Sequence, residues 1–230
     1  MKKYKLEILI YFIIISITIF KINEVKTIDV SNAQELKQSN YHILIDVEES
    51  KMYVFNQGNL IKMYSCAGGK KGTPSPIGTW KITSKALWGE GYGGRFMGLN
   101  CQWGQFGIHG TNAEHSIGSR SSHGCIRMKT IDVEELYKFI PIGTKVTIVD
   151  GPYGNFGHGF RYLESGMYGS DVYEIQKKLY QLGFLKSEPS GKFGSQTEKA
   201  IQEYCKANAL KVRKTIDIEL QKYMGFVLIE

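Results

Sequence analysis

His42-Ile43-Leu44-Ile45-Asp46-Val47 is followed by Lys51-Met52-Tyr53-Val54-Phe55, and the turn Asn56-Gln57-Gly58-Asn59 leads into a third run from Leu60 to Cys66. Short runs rich in β-branched and aromatic residues, punctuated by Gly and Asn, read as strands folded back in hairpins. Further strands are expected at 78–83, 104–109 and 145–149. Their close spacing and Gly/Pro turns argue for an antiparallel β-sandwich or barrel. A short helix is expected at 131–139, with Thr130 as N-cap and Asp132 in its first turn.

Beyond this body lies a glycine-rich stretch, 151–165, with Gly151, Gly154, Gly157 and Gly159 around Pro152. The period then becomes helical. Ser170 is expected to cap a helix that places Val172, Ile175, Leu179 and Leu182 on one face, closed by Gly183. Ser195-Gln196-Thr197-Glu198 reads as a capping box, and Ile201, Tyr204 and Cys205 continue an apolar stripe. A last short helix is expected from Asp217 to Tyr223. The chain therefore divides into a mainly β domain at 41–150 and a small all-α, three-helix domain at 166–226.

With 230 residues, 42% of them hydrophobic, there is enough chain for one medium and one small core. The net charge of +7 favours anionic surroundings. Nucleic acid is disfavoured, because zinc-finger spacing, RNP-like motifs and an arginine stripe are missing from the sequence. The amino terminus points elsewhere. Met1-Lys2-Lys3-Tyr4-Lys5 precedes an apolar run from Ile8 to Phe20, the pattern of an export signal. Lys21, Asn23, Glu24 and Lys26 follow where a small-residue cleavage site belongs, which favours an uncleaved anchor. Residues 1–21 are read as signal peptide or membrane anchor, and 22–40 as a linker. Everything after residue 21 is then expected outside the cytoplasmic membrane.

Four scattered cysteines, Cys66, Cys101, Cys125 and Cys205, do not make a disulfide scaffold. Cys205 reads as a small core residue, and Cys66 and Cys101 as buried thiols or a pair. Cys125 differs in its neighbours. Ser122-His123-Gly124-Cys125, preceded by Ile108-His109-Gly110, brings together a thiol, two imidazoles and a glycine-bordered turn. A free thiol with a pKa near 8.5 needs an imidazole or another positive field to react at neutral pH. His109, at a strand end, is the expected base. Gly124 allows a sharp turn whose amides face an oxyanion, with Ser122 and His123 in support. Arg127 is positioned to meet a carboxylate bidentately. Three other readings compete: a zinc site from His109, His115, His123 and Cys125, a merely structural His123, and an inert buried Cys125. The first lacks a recognised ligand spacing. The third is disfavoured because Ser, His and Gly are poor core formers.

Residues 41–149 resemble the L,D-transpeptidase catalytic domain of bacterial cell-wall enzymes. The resemblance rests on His109-Gly110-Thr111, on Ser122-His123-Gly124-Cys125-Ile126-Arg127, and on the upstream Gly72-Thr73-Pro74-Ser75-Pro76-Ile77-Gly78-Thr79-Trp80. It implies a predominantly β fold and a thioester mechanism without metal or other cofactor. Cys125 is the nucleophile it implies, with His109 the proton acceptor and donor. Gly124 and Cys125 give oxyanion amides, supported by His123 and Ser122. Arg127 falls where the family has Asn or Arg, a position of loop structure or of substrate carboxylate recognition, and Gly110 falls in the substrate-binding part of the motif. The implied reaction expels D-alanine from a tetrapeptide stem and passes the acyl group to a neighbouring side-chain amine, giving a 3–3 cross-link. Carbapenems are implied covalent inhibitors. Residues 166–225 resemble a three-helix peptidoglycan-binding module, through Gly169-Ser170-Asp171-Val172, Leu182-Gly183-Phe184 and Gly191-Lys192-Phe193-Gly194-Ser195-Gln196-Thr197-Glu198. Two other functions share these residues: an L,D-carboxypeptidase or cysteine peptidase that uses water as acceptor, and a catalytically silent wall-binding protein.

Overall fold

The computed structural model describes residues 40–89, 93–151, 156 and 159–228. The expected leader at 1–21, nearly all of the 22–40 linker, and Gly154 and Gly157 lie outside the described residues. No helix among the described residues is long and apolar enough to cross a membrane.

Among the described residues, ten strands form the first domain: β1 (Tyr41–Asp46), β2 (Lys51–Asn56), β3 (Asn59–Ser65), β4 (Gly68–Gly69), β5 (Gly78–Leu87), β6 (Arg95–Leu99), β7 (Gly107–Thr111), β8 (Arg120–Ser122), β9 (Ile126–Lys129) and β10 (Lys145–Val149). Eight of them make one sheet in the order β3-β2-β1-β10-β5-β6-β7-β9, and β4 pairs with β8 in a separate two-stranded ladder. β1 to β3 are the meander read from the opening residues. The purely antiparallel expectation is corrected, because β1 runs parallel to β10 and β7 parallel to β9. Parallel neighbours need a crossover connection. The β7–β9 crossover contains β8 and the thiol turn.

β5 serves both halves of the sheet. Residues 78–81 pair with β10, residues 82–87 pair with β6, and the register shifts between Ile82 and Ser84. Side chains from both halves meet in a single core, with Ile43, Ile45, Met52 and Val54 from one and Met97, Ile108, Ile126 and Met128 from the other. Each such burial contributes roughly 1.5–3 kcal/mol. Helix α1 (Thr130–Phe139) follows β9 directly and buries Val133 and Leu136. Its expected N-cap is corrected by one position: Lys129 occupies the cap without a side-chain bond, and Thr130 is already helical.

The second domain contains α2 (Ser170–Gln181), α3 (Ser195–Ala207) and α4 (Ile218–Tyr223) around a core that includes Val172, Ile175, Leu179, Ile201, Tyr204, Cys205 and Leu220. Two caps differ from expectation. Gly169 and Gly194 hold the N-cap positions of α2 and α3, and neither Ser170 nor Ser195 makes a capping hydrogen bond. Asp217 does cap α4, accepting from the Leu220 amide. Leu182 is corrected as well. α2 ends at Gln181 and Gly183 adopts φ +80, so the chain leaves the helical period and Leu182 is exposed while Leu185 enters the core.

Candidate active site

Ser122-His123-Gly124-Cys125 is the tight link between β8 and β9. The fully buried Ser122 ties it together. Its Oγ accepts from the Gly124 amide at 3.0 Å and donates to the Cys125 carbonyl at 2.6 Å. The Ser122 carbonyl in turn accepts from the Lys70 amide and from Thr73 Oγ1, both at 3.1 Å. The Gly72-Thr73-Pro74 segment thus clasps the turn from a distant part of the chain. Gly124 sits at φ +112, and a Cβ there would lie 2.5 Å from the Phe106 ring. Conformation and crowding both require glycine at this position.

Cys125 is half-buried, and its Sγ donates to the Gln105 carbonyl at 3.7 Å. Burial pushes the thiol up, while the Gly107 backbone and the Arg127 charge pull it back. The balance still lies above the ordinary thiol range, so the sulfur needs a base to become a nucleophile. His109 is suited to supply it. Its Nδ1 donates to the Gly110 carbonyl at 2.6 Å, which leaves Nε2 as the basic nitrogen. Trp88 lies 5.5 Å from the His109 ring and Phe96 6.4 Å, and these two walls stack on each other at 4.1 Å.

The β7–β9 register sets His109 beside the strand that the thiol turn leads into. His109 pairs with Arg127 and Ile108 with Ile126. Ile108 and Ile126 point into the core. Alternation therefore turns His109 and Arg127 to the opposite face, and Cys125 is the bend residue immediately before β9. Gly110 is buried and reaches the site through its carbonyl. The exposed His123 faces Lys70, whose Nζ lies 3.4 Å from Nε2. Arg127 exchanges backbone hydrogen bonds with Ala67 at 2.9 Å in each direction. His115 is exposed on a single 3-10 turn, Glu114–Ser116. Among the described residues no three His, Cys, Asp or Glu side chains gather as metal ligands. The four cysteines are free thiols, and burial raises Cys66 and Cys101 to about 12 each.

Several contributors were not singled out from the sequence. Gln105 and Phe106 form one wall of the thiol, and Trp88 and Phe96 cover His109. The segment at Gly93 lies against β7 so closely that a Cβ on Gly110 would meet the Gly93 carbonyl at 2.5 Å. The signal available was the glycine pair Gly93-Gly94 beside aromatic residues, a pattern of close backbone approach.

A family model described as the L,D-transpeptidase catalytic domain matches residues 40–148, and one described as "Putative peptidoglycan binding domain" matches 168–217. "Putative L,D-transpeptidase YqjB" of Bacillus subtilis is 31% identical over 125 residues, covering 47% of this chain and 71% of the relative. The chain belongs to the L,D-transpeptidase family. Another relative, "Putative L,D-transpeptidase YkuD" of Bacillus subtilis, is 38% identical over 109 residues, 47% of this chain and 65% of its own length. Among solved structures, a mutant of the Enterococcus faecium L,D-transpeptidase is 24% identical, with a TM-score of 0.43, over 48% of this chain and 50% of that one. The region shared with L,D-transpeptidases contains β1 to β9 and the whole thiol turn, while the matched helical segment spans α2 and α3.

Proposed function

We propose that this protein is an exported L,D-transpeptidase that makes 3–3 cross-links between peptidoglycan stems through a Cys125 thioester. The observation that supports the reading is the thiol turn itself: Cys125 held by the buried Ser122 network immediately before β9, the strand that pairs with β7 and its His109, whose Nδ1 is already engaged. His109 Nε2 takes the thiol proton as the sulfur attacks the carbonyl carbon of the third stem residue. The developing oxyanion is held by the amide of Cys125, with His123 and Ser122 in support; the Gly124 amide, expected to share this task, is instead given to Ser122 Oγ and shapes the turn. Collapse breaks the bond to the terminal D-alanine, whose amine leaves with the proton returned by His109. The side-chain amine of a second stem then attacks the thioester, His109 accepts its proton, and the thiolate is released. Arg127 supplies positive charge for a substrate carboxylate, and Gly110 acts on substrate by aiming His109.

Residues 41–150 are the catalytic part, 151–165 the linker and 166–226 the wall-binding part of this reading. The basic start and the Ile8–Phe20 run support export, with the domains on the outer face of the membrane or in the wall. The test is mass spectrometry of tetrapeptide muropeptides incubated with the full chain. Cross-linked dimers are expected from the wild type and none from Cys125→Ala. Tripeptides alone would convert the reading to a carboxypeptidase. Dimers made by Cys125→Ala would remove the nucleophile assignment. A carbapenem is expected to add its mass to Cys125 in the wild type and to leave Cys125→Ala unmodified.

A further inference from the structure

The two domains meet through an aromatic joint beside the thiol. Tyr173, on the first turn of α2, lies with its ring 5.3 Å from Trp80 and 5.8 Å from Trp103, and the two tryptophans meet edge-on at 5.2 Å. A second element of the helical module presses on the same side chain. Gly191, at φ +70, lies so close to Trp103 that a Cβ would fall 2.1 Å from its ring. The buried Gln176 side chain holds that loop in place. Its Oε1 accepts from the amides of Ser190 and Gly191 at 2.8 Å, and its Nε2 donates to the Lys192 carbonyl and to Thr197 Oγ1 at 2.8 Å.

Both tryptophans lead to the thiol turn. Trp103 belongs to the segment that continues through Gln105, the hydrogen-bond acceptor of Cys125 Sγ, and Phe106, whose ring closes on Gly124. Trp103 and Phe106 are themselves in edge contact at 6.3 Å. Trp80 donates from its indole nitrogen to the Pro76 carbonyl at 2.7 Å. This fixes the end of the loop whose Thr73 holds Ser122 and whose Pro74 carbonyl abuts Gly124. The module therefore braces both loops that flank the sulfur.

We propose that Tyr173 and Gly191 are positioning residues for the Cys125 site, so that the helical module is a structural part of the reaction centre as well as a separate binding unit. The proposal rests on the reading of Cys125 as nucleophile. Interior side chains transmit displacement because they are close-packed. A shift of about 1 Å in a catalytic group costs as much as 100-fold in rate. Loosening the brace is expected to act on kcat and on the solvation of the thiol, leaving the stem's own contacts in place.

The experiment uses the full chain and four variants, Tyr173→Ala, Tyr173→Phe, Gly191→Val and the control Lys177→Ala on an exposed face of α2. Folding of each is checked by near-ultraviolet circular dichroism. Muropeptide transfer is measured alongside the pH profile of Cys125 alkylation by iodoacetamide, followed by mass spectrometry. Tyr173→Ala is expected to lower kcat roughly tenfold or more with little change in KM. Its alkylation midpoint is expected to move to lower pH, because burial is the largest cause of the raised thiol. Tyr173→Phe is expected to restore both values, and Lys177→Ala to match the wild type. Gly191→Val tests the second contact independently and is expected to follow Tyr173→Ala. Folded Tyr173→Ala and Gly191→Val proteins with wild-type kcat and wild-type alkylation midpoint would overturn the proposal. A Cys125→Ala protein that still transfers would instead overturn the nucleophile assignment beneath it.

Discussion

The thiol turn and the three-helix module are held by different kinds of interaction. At the turn, a fully buried serine, backbone carbonyls and closely packed glycines do the holding, and the participating groups come from residues 69–76, 101–107 and 122–125. In the module, apolar stripes on α2 and α3 meet in a core, with Gln176 as its buried polar tie. A side-chain stripe tolerates substitution in proportion to the volume removed. A backbone-and-hydroxyl network fails when one donor or acceptor is lost. The comparison teaches that damage at the turn should appear first in chemistry, and damage in the module's own core, away from Tyr173 and Gly191, first in stability.

Four substitutions test that contrast, in descending order of expected effect. His109→Gln removes the proposed base while keeping a polar side chain, and transfer is expected to fall by about 10²–10⁴, measured by muropeptide kinetics. The midpoint of urea unfolding should barely change, and an unchanged kcat would end the contrast at its strongest point. Leu179→Ala, at a fully buried position, is expected to cost the module ~2–5 kcal/mol in urea titration. Ser122→Ala leaves the buried Gly124 amide without its acceptor and is expected to cost ~1–3 kcal/mol, together with a loss of transfer larger than that of Leu179→Ala. Asp217→Ala removes the one helix cap made by a side chain among the three module helices. It is expected to cost about 1 kcal/mol, read as a small drop in melting temperature, with transfer unchanged.

The same contrast explains what was legible in the residues. The β1–β3 meander and the module helices follow periods of 2 and 3.6 set by their own side chains, so they can be read locally. Leu182 marks where this reading fails, since the period stops with the helix at Gln181 while the apolar side chain does not. Ser170 and Ser195 have the chemistry of caps, but the preceding glycines begin each helix and the hydroxyls go unused. Cys125, His109, Gly124 and Ser122 were visible because thiol, imidazole, glycine and hydroxyl stand in one short motif. Gln105, Phe106 and Trp88 carry no such signal. Their part depends on which loops the sheet brings together, and β6, the small ladder of β4 with β8, and the parallel pairings arise from tertiary contact rather than local pattern.

β1 lies between β2 and β10, in register from His42 against Lys145 to Asp46 against Val149. The first strand of the catalytic domain therefore waits for the last before its second edge is covered. Long-range pairing of this kind slows folding, because the intervening loop must close before the contact stabilises it. A chain still being synthesised, with residues after 140 yet to emerge, has an open edge on β1 and no completed eight-stranded sheet to support the thiol turn. The setting of the Ser122–Cys125 turn is in this way deferred until almost the whole β domain has been made.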